Sequence, residues 1–579
     1  MIKPRNINRL ILRVAVSIFL TAGLVAFTFA QDKTPIIIIP GLTGSELVNS
    51  KTGEVVWFKA PRSKDDDLRL PVSANIAKNR DNLVAGDILR SLKVGIFPRI
   101  DVYDGLIQAL KTKGGYHEEF WNTPSPKGFE SSIYVYPYDW RLDNVENARL
   151  LIRKIEQLKI KLKQPNLKFN VIAHSMGGII ARYAAMYGDA DLPTGSRKPQ
   201  PTWAGAKYFG KIALLGVPNE GSALSLNSLL NGFAIGGINI NLPFVQNLTK
   251  FDLFSIPSAY QLLPAPGTLR AMDENFEPLN IDIYDPREWS KYDWNAIDAK
   301  GFAKQFSPAE RRAAPAFLAA MLNRARRLHE ALAAAGRSQP PVSIDVVGAD
   351  CRDSLDSIVL YRETKTGKWK TLFKAAAFTK ASGGKVTSDE LKKVMLVPGD
   401  GVVTKRSLET ETQSRLAGIG SVLRPLSSKF ICEEHNKLPA NAEIQDYVIG
   451  LLGGVVQAEK TTSIEGALWQ WESEQTPKEK VTVPSGEKYS IEFGAGGKFA
   501  AQVDCNRGSG TYKVEGNSIT ISPLATTKMQ CQLGTLAAQF GKSLSGAKTF
   551  RIEGNALFID LLAGAGTMKF TKTEKQIEK

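Results

Sequence analysis

Residues Phe169–Tyr183 read FNVIAHSMGGIIARY. The first five residues predict a buried strand, and the residues after Ser175 have the pattern of a helix. Small residues at positions 173 and 177 suit a strand-to-helix turn so sharp that larger flanking side chains would collide. Such a turn holds a serine hydroxyl above a helix N-terminus, whose dipole favours a neighbouring oxyanion. The segment therefore predicts a nucleophile elbow at Ser175, with Ala173 replacing the first glycine of the usual pattern.

Short apolar runs alternate with helical patterns on both sides of this segment, from Lys33 to about Gly454. The clearest strand candidates are Thr34–Pro40, Ile133–Tyr138, Phe169–Ala173, Lys211–Gly216, Val342–Gly348 and Val394–Pro398. Alternation of this kind predicts an α/β fold, with a mainly parallel sheet and helices on both faces. With the elbow, it indicates the α/β-hydrolase fold over residues 31–455.

Two stretches interrupt the alternation. Residues from about 46 to 99 are irregular and charged, and residues from about 219 to 340 are long and partly helical. In the second stretch, Ser307 and Glu310 have capping-box spacing, with Pro308 at the first helical position. We expect a lid segment and a cap insertion, respectively; the alternative is ordinary surface elaboration.

A serine nucleophile needs a base, which follows it in the chain order of α/β-hydrolases. His117 precedes Ser175, His174 is its neighbour and points elsewhere in an elbow, and His329 lies in the Arg-rich helical run of the cap. The candidate base is therefore His435, which follows a turn-rich region and precedes a helical segment.

The acid that orients the base should follow the penultimate strand. Asp400 lies between two glycines, directly after the apolar run that ends at Pro398. Asp350 and Asp353, after the preceding strand, are its rivals and could instead cap turns. An oxyanion hole also needs two backbone donors. We predict the N–H of Met176, after the nucleophile, and the N–H of Leu42, in the glycine-containing turn after the first strand.

At this point a family resemblance can be stated. The motifs that carry it are Pro40-Gly41-Leu42-Thr43-Gly44-Ser45, Tyr138-Asp139-Trp140-Arg141, Ala173-His174-Ser175-Met176-Gly177-Gly178, Pro398-Gly399-Asp400-Gly401-Val402-Val403 and His435. In this order they resemble the lecithin:cholesterol acyltransferase family and its lysosomal phospholipase relatives, over about residues 34–453. The resemblance implies an acyl-enzyme mechanism on lipid esters, a triad of Ser175, Asp400 and His435, and a mobile lid.

The resemblance also implies that Tyr138, Asp139, Trp140 and Arg141 line the acyl cleft. By themselves these residues could equally form a buried structural cluster with an Asp139–Arg141 interaction. The lid and cap segments match the eukaryotic acyltransferases poorly, so water is the expected acyl acceptor.

The texture of the sequence changes after Gly454. Residues 456–464 resemble a polar linker, and short strand patterns separated by turn signals follow over residues 465–575, among them Lys498–Val503 and Ser518–Ile521. This predicts a small antiparallel β domain. Its motifs LWQW (Leu468–Trp471), CNRGSGTY (Cys505–Tyr512) and TKMQC (Thr527–Cys531) resemble a META domain. That resemblance suggests surface binding or stabilisation rather than chemistry.

Residues 1–30 have the layout of a secretory signal peptide: four basic residues, then an uncharged apolar run and Thr28-Phe29-Ala30. An uncleaved anchor is the alternative, although the run is shorter than a membrane span needs. The net charge of +16 includes those four charges, which leaves +12 for the mature chain. We therefore expect an exported protein with no nucleic-acid partner and with possible contact at an anionic membrane surface.

The chain has four cysteines and four histidines, with no close CxxC pair. No metal or cofactor is expected. Export allows disulfides, and the natural pairing within domains is Cys351 with Cys432 and Cys505 with Cys531. Free buried thiols are the alternative.

The sequence thus predicts an exported serine ester hydrolase or acyltransferase that acts on lipid or phospholipid esters. One alternative is a non-catalytic hydrolase fold that serves as an envelope binding or scaffold protein. Another is a hydrolase of peptides or other amides.

Overall fold

The computed structural model describes residues 33–573, except for segments 60–66, 93–99, 234–247, 335–339, 454–463, 477–478, 485–487, 516–517, 532–533, 554–555 and 563–564 and residues 196 and 420. The predicted signal peptide and nearly all of the predicted linker lie outside the described residues. The chain divides into two compact units, residues 1–455 and 456–579.

A central parallel sheet organises the first unit. Seven strands of the described residues form it: β1 (Ile36–Ile39), β2 (His117–Glu118), β3 (Ser132–Val135), β4 (Phe169–His174), β5 (Phe209–Leu215), β6 (Ser343–Gly348) and β7 (Ser427–Phe430). Their order across the sheet is β7-β6-β5-β4-β1-β3-β2, and all the pairings are parallel. The direction of winding reverses between β1 and β4, and the carboxyl ends of strands at such a reversal are the usual place for a site.

Helices cover both faces of this sheet. The main ones are α1 (Asp104–Thr112), α2 (Asn144–Leu162), α3 (Met176–Tyr187), α4 (Pro308–Ala333) and α5 (Ala442–Leu451). Successive side chains of β1 alternate between the faces: Ile36 and Ile38 belong to the core that contains α1 and α5, and Ile37 and Ile39 to the core that contains α2, α3 and α4. The predicted α/β fold is confirmed. No helix in the described part of the chain is long and apolar enough to cross a membrane.

The predicted lid segment is anchored to the core in its described part. Its three strands, Ser45–Asn49, Val55–Trp57 and Leu83–Ile88, form an antiparallel sheet, with a short pair, Ser91–Leu92 and Ile100–Asp101, after them. Leu68 and Leu70 are fully buried, and the Leu70 N–H donates to Ser255 Oγ in the cap at 3.0 Å. Segments 60–66 and 93–99 are not described, and a lid function for residues 46–99 stays a prediction.

The predicted cap insertion is mostly helical. Helix α4 begins with the expected capping box between Ser307 and Glu310, with Pro308 in its first turn. Its shorter helices are Ala223–Asn231, Lys250–Phe254, Pro257–Tyr260, Pro286–Lys291 and Phe302–Gln305, and its strands Arg270–Met272 and Pro278–Leu279 join Ser357–Arg362 and Trp369–Leu372 in a separate sheet.

The predicted strand Val394–Pro398 is only partly confirmed, because the observed strand starts two residues later and does not belong to the main sheet. A capping box between Thr387 and Glu390 starts a helix, Ser388–Met395. The chain then extends only over Leu396–Gly399, which pairs antiparallel with Arg352–Leu355 outside the main sheet. The remaining described elements before β7 are the strands Phe378–Thr379 and Lys385–Val386, the helices Lys405–Glu409 and Glu411–Leu416, and the 3-10 helices Ile76–Lys78, Ala206–Tyr208 and Ala296–Asp298.

The second unit is an antiparallel sheet that closes on itself, and the predicted small antiparallel β domain is confirmed. Its strands are β8 (Leu468–Gln475), β9 (Tyr489–Gly494), β10 (Lys498–Val503), β11 (Asn506–Glu515), β12 (Ser518–Ile521), β13 (Ala547–Glu553), β14 (Ala556–Leu561) and β15 (Thr567–Thr573). Closure comes from the pairing of β8 with β15. The short strands Lys480–Thr482 and Ala525–Thr526 add to it, and one helix, α6 (Ala537–Ser545), places Phe540 and Leu544 in the core.

Candidate active site

Ser175 lies at the turn between β4 and α3. Its φ of +52° and ψ of −127° are strained for a residue with a side chain, as expected of a nucleophile elbow. The Ser175 N–H donates to the Leu215 carbonyl oxygen of the neighbouring strand at 2.8 Å, which fixes the turn against β5. The side chain is thereby presented at the carboxyl edge of the sheet.

The two glycines after Met176 are required by close packing. A Cβ on Gly177 would lie 2.4 Å from the Pro40 carbonyl oxygen, and a Cβ on Gly178 would lie 2.1 Å from Val217 Cγ2. Helix α3 can therefore start directly against the end of β1 and against Val217 after β5 only because these two positions lack a side chain. Ala173, on the other side of the serine, is fully buried, in agreement with the predicted need for small residues.

His435 meets the hydroxyl of Ser175. It follows β7 at the start of a 3-10 turn, His435–Ala440, and its Nε2 lies 2.9 Å from Ser175 Oγ. The His435 side chain is nearly buried, with 7% of its area exposed. The two residues are 260 positions apart in the sequence, and the parallel strands β4 and β7 bring them to the same edge of the sheet.

Asp400 orients the other side of the imidazole. Its Oδ2 lies 2.8 Å from His435 Nδ1, and its Oδ1 accepts the N–H groups of Val402 and Val403 at 2.9 and 2.7 Å. Burial disfavours the charged carboxylate, but the His435 contact and these N–H groups outweigh it and lower the pKa of Asp400. The carboxylate is ionised at neutral pH and holds the proton of the imidazole on Nδ1, so that Nε2 faces the serine as an acceptor.

The rival acids and the other histidines lie elsewhere. Asp350 pairs with Lys405 at 3.2 Å, and Asp353 is exposed. His117 is an edge-strand residue beside Glu119, and His329 is buried within α4. The structure thus brings together the three predicted side chains; their catalytic role stays a prediction.

The turn after β1 faces Ser175. The Gly44 N–H donates to the Gly41 carbonyl oxygen at 3.1 Å, and a Cβ on Gly41 would lie 2.9 Å from Ser175 Cβ. Met176 is the first residue of α3, so its N–H has no acceptor within the helix. Within the described residues no acceptor is found for the N–H of Met176 or of Leu42. Both predicted oxyanion donors are therefore available.

Gly216 lies against the candidate acid–base pair and was missed by the sequence interpretation. It directly follows β5 and has a φ of +56°, and a Cβ there would lie 3.2 Å from both Asp400 Oδ2 and His435 Nδ1 and 2.6 Å from Leu438 Cδ1. A side chain would push into the acid–base pair. A glycine at a strand end was the only signal, and it did not identify the partners.

Residues 138–141 are buried and hold the turn after β1. The Tyr138 hydroxyl donates to the Pro40 carbonyl oxygen at 2.8 Å, and Trp140 Nε1 donates to the Ser45 carbonyl oxygen at 3.2 Å. Arg141 forms ion pairs with Asp139 and with Asp81. These contacts fit the structural alternative; the substrate-binding role of the four residues stays a prediction.

Both cysteine pairs form disulfides with the predicted partners, Cys351 with Cys432 and Cys505 with Cys531. The first connects the segments that follow β6 and β7, and Cys432 precedes His435 by three residues. It therefore fastens the segment that carries the candidate base. Among the described residues, no cluster of three or more His, Cys, Asp or Glu side chains could hold a metal ion.

Comparison with family models finds one match in each unit. Residues 122–298 match the family model described as lecithin:cholesterol acyltransferase, and residues 463–575 match the model described as META domain. The resemblances inferred from the motifs are thus confirmed. No curated protein matches the chain.

Three solved structures show weaker similarity. A chain of a Tle4–Tli4 complex is 15% identical, over 73% of this chain and 98% of that one, with a TM-score of 0.43. A protein from Burkholderia xenovorans is 16% identical over 20% of this chain and 87% of its own, with a TM-score of 0.18. A DUF4847 family protein from Bacteroides vulgatus is 14% identical over 20% and 99%, with a TM-score of 0.16. With scores this low, none of the three supports an argument about function.

Proposed function

We propose that this protein is an exported serine hydrolase or acyltransferase that cleaves lipid ester bonds through an acyl-enzyme. The observation that carries the proposal is the hydrogen-bonded chain Ser175 Oγ, His435 Nε2, His435 Nδ1 and Asp400 Oδ2, with distances of 2.9 and 2.8 Å. The strained backbone of Ser175 and the unoccupied N–H groups beside it are the other parts that such chemistry requires.

The reaction proceeds in two halves. Ser175 Oγ attacks the ester carbonyl carbon while His435 Nε2 takes the hydroxyl proton, and the oxyanion accepts from the N–H groups of Leu42 and Met176. His435 then gives its proton to the alcohol that leaves, and the acyl group remains on Ser175. In the second half, water or an alcohol attacks the acyl-enzyme, again with His435 as base, and Ser175 is regenerated.

The substrate class is proposed from the family match. The matched residues, 122–298, include Ser175 and part of the predicted cap. We propose a lipid or phospholipid ester as the acyl donor and water as the default acceptor, without a cofactor. The +12 charge of the mature chain would favour an anionic lipid surface.

Export is proposed from residues 1–30 and is supported by the two disulfides. Disulfides persist in the periplasm and outside the cell and are rare in reducing compartments. N-terminal sequencing of the exported protein should find a chain that starts at Gln31. A chain that starts at Met1 would contradict cleavage.

The nucleophile is tested by labelling with a fluorophosphonate probe. The wild-type protein should bind the probe at Ser175, and Ser175→Ala should abolish labelling and lower ester hydrolysis by at least about 10⁴-fold. Ser382→Ala, at an exposed serine, is the matched control and should label fully. Persistent labelling of the Ser175→Ala variant would show that another residue is the nucleophile.

The substrate class is tested by incubating the mature protein and Ser175→Ala with envelope lipids, aryl esters of several chain lengths, and peptides. Release of free fatty acid would indicate hydrolysis, and a new ester would indicate transfer. Cleavage of peptides alone would favour an amide hydrolase, and a folded wild-type protein inert toward every substrate and the probe would favour a scaffold.

A further inference from the structure

Tyr103 and His174 form a buried hydrogen-bond path between two parts of the candidate site. The Gly41 N–H donates to the Tyr103 hydroxyl oxygen at 2.8 Å. The same oxygen lies 2.8 Å from His174 Nδ1, and His174 Nε2 lies 3.1 Å from the carbonyl oxygen of His435. Only 2% of Tyr103 and 7% of His174 is exposed. The path therefore connects the turn after β1 with the backbone of the candidate base, away from solvent.

The two ends of this path, the Gly41 N–H and the His435 carbonyl oxygen, determine the position of every proton along it. A carbonyl oxygen only accepts, so His174 Nε2 carries the proton that it donates to His435. His174 Nδ1 is then an acceptor and receives the Tyr103 hydroxyl proton, while the Tyr103 oxygen accepts from Gly41. Burial, and then the neighbouring His435, lower the pKa of His174 to about 3, so the ring stays neutral. A single tautomer satisfies all three contacts.

The path also determines which amide of the turn can bind an oxyanion. The Gly41 N–H already donates to the Tyr103 hydroxyl oxygen, so it cannot donate to substrate. The next amide, that of Leu42, has no acceptor among the described residues. Since the Leu42 N–H shares a peptide group with the Gly41 carbonyl, a shift of Gly41 moves the proposed donor with it.

We propose that Tyr103 and His174 are positioning residues that set the distance between the Leu42 oxyanion donor and the His435 base, an inference that rests on the proposed function. Neither touches the substrate. Tyr103 fixes the turn through Gly41, His174 fixes the backbone of His435, and the bond between their side chains joins the two. Because the ring of His174 lies with its centroid 5.1 Å from that of His435, its neutrality also avoids opposing the imidazolium that forms during catalysis.

The test is Tyr103→Phe, which removes one hydroxyl and keeps the ring. Displacement of a donor by a fraction of an ångström should lower kcat by about 10- to 100-fold, with KM changed less than about twofold. Affinity for a boronate transition-state analogue should fall by the same factor as kcat, while affinity for a non-reactive substrate analogue should not change. Rates are counted per active site titrated with the fluorophosphonate, so loss of folded protein does not enter.

The matched control is Tyr116→Phe. Tyr116 is also buried in the first unit, 4% exposed, but its hydroxyl has no hydrogen-bond partner among the described residues. Its kcat and analogue affinity should equal those of the wild type. A merely structural role of Tyr103 would give the same result for both variants.

A second measurement does not depend on activity. The chain has four histidines, so nitrogen-15 imidazole spectra can be assigned with variants in which one histidine at a time is replaced. His174 should be the neutral tautomer protonated on Nε2 throughout pH 5 to 8. Titration of His174 in that range, or protonation on Nδ1, would overturn the proton assignment.

The outcomes separate this inference from the proposed function. If the wild type neither labels nor cleaves esters, the proposed function fails. If the wild type is active and Ser175→Ala is not, but Tyr103→Phe matches Tyr116→Phe in kcat and analogue affinity, the positioning role alone is overturned.

Discussion

The two units of the chain bury different kinds of side chain. The second unit fills its closed sheet mainly with aromatic and aliphatic residues, such as Trp469, Trp471 and Phe540. It has no histidine, although it does bury one carboxyl, that of Glu474. The first unit has an equally apolar core, but at the carboxyl edge of its sheet it also buries Asp400 and two histidines, His174 and His435. Burial of titratable groups is costly unless contacts compensate for it. At the carboxyl edge of the sheet such groups contact one another and Ser175, and the proposed function is the natural explanation for their burial there.

Among the substitutions that should affect catalysis through the first unit alone, Asp400→Asn should cause the largest loss of kcat. An amide in place of the carboxylate can hold the imidazole in the wrong tautomer, and kcat should fall by about 10⁴-fold. The variant keeps an oxygen for the N–H groups of Val402 and Val403, so it should fold. Steady-state kinetics per titrated site measure the loss.

Asp353→Asn is the control for Asp400→Asn, because Asp353 is the rival acid and its side chain is exposed. It should keep wild-type kcat. Undiminished activity of a folded Asp400→Asn variant would remove Asp400 from the mechanism and reopen the choice of acid.

The disulfides distinguish the units by stability and by activity. The Cys351–Cys432 bond closes a separation of 81 residues and the Cys505–Cys531 bond one of 26. Chain entropy predicts that replacing the pairs by serine costs about 4.5 and about 3.5 kcal/mol, respectively. Denaturant unfolding of each double variant measures both.

Only the first pair should also affect catalysis, since Cys432 precedes His435 by three residues. Equal kcat for the two double variants, counted per titrated site, would show that the segment carrying His435 is held without the bond.

The site residues that could be predicted from the sequence are those that follow strands of the parallel sheet in the expected chain order. Ser175, Asp400 and His435 follow recognisable local patterns, and parallel strands bring their ends to one edge. Tyr103 carried no such signal: its partners lie 62 and 71 residues away, and a lone tyrosine in a helical region reads as core. The strand predicted before Asp400 had the wrong start. Its apolar run continues from a helix that Thr387 caps, Ser388–Met395, and the sequence interpretation did not recognise that helix.

Prediction was also incomplete in the second unit. Its inner strands β10 and β12 were given correctly, because alternation and tight turns are local. The strand that closes the sheet, β15, and the helix that fills it, α6, depend on pairing and packing across the whole unit. Such contacts leave little mark on the local pattern.

The stability of the first unit should depend on pH through Glu220. It is 2% exposed, and burial raises its pKa to about 7, against the opposing N–H of Gln413 and charge of Arg406. A carboxyl whose pKa is higher in the folded state stabilises the fold fully below its unfolded pKa and loses that contribution as pH rises to about 7. Relative to Glu220→Gln, the wild-type unit should therefore lose up to roughly 3 kcal/mol between pH 4 and pH 8.

Denaturant unfolding of both proteins across this range measures the difference for the transition of the first unit. A constant difference from pH 4 to pH 8 would show that Glu220 is not protonated in the folded state near neutrality.

The smallest effect compares two crowded glycines, one in each unit. Gly216→Ala would place a Cβ 3.2 Å from both Asp400 Oδ2 and His435 Nδ1, and Gly510→Ala would place one 2.6 Å from the ring of Phe499. Displacement of the acid–base pair should lower kcat by about 10²-fold, whereas overpacking in the second unit should cost about 1–3 kcal/mol of its stability and leave kcat unchanged.

Gly216 also has a φ of +56°, so Gly367→Ala, with a φ of +66° and no atom within 4 Å, serves as the control for backbone strain alone. If Gly216→Ala loses no more kcat than Gly367→Ala, the crowding at the acid–base pair has no catalytic consequence. If Gly510→Ala lowers kcat as much as Gly216→Ala does, the expectation that catalysis depends on the first unit alone is wrong.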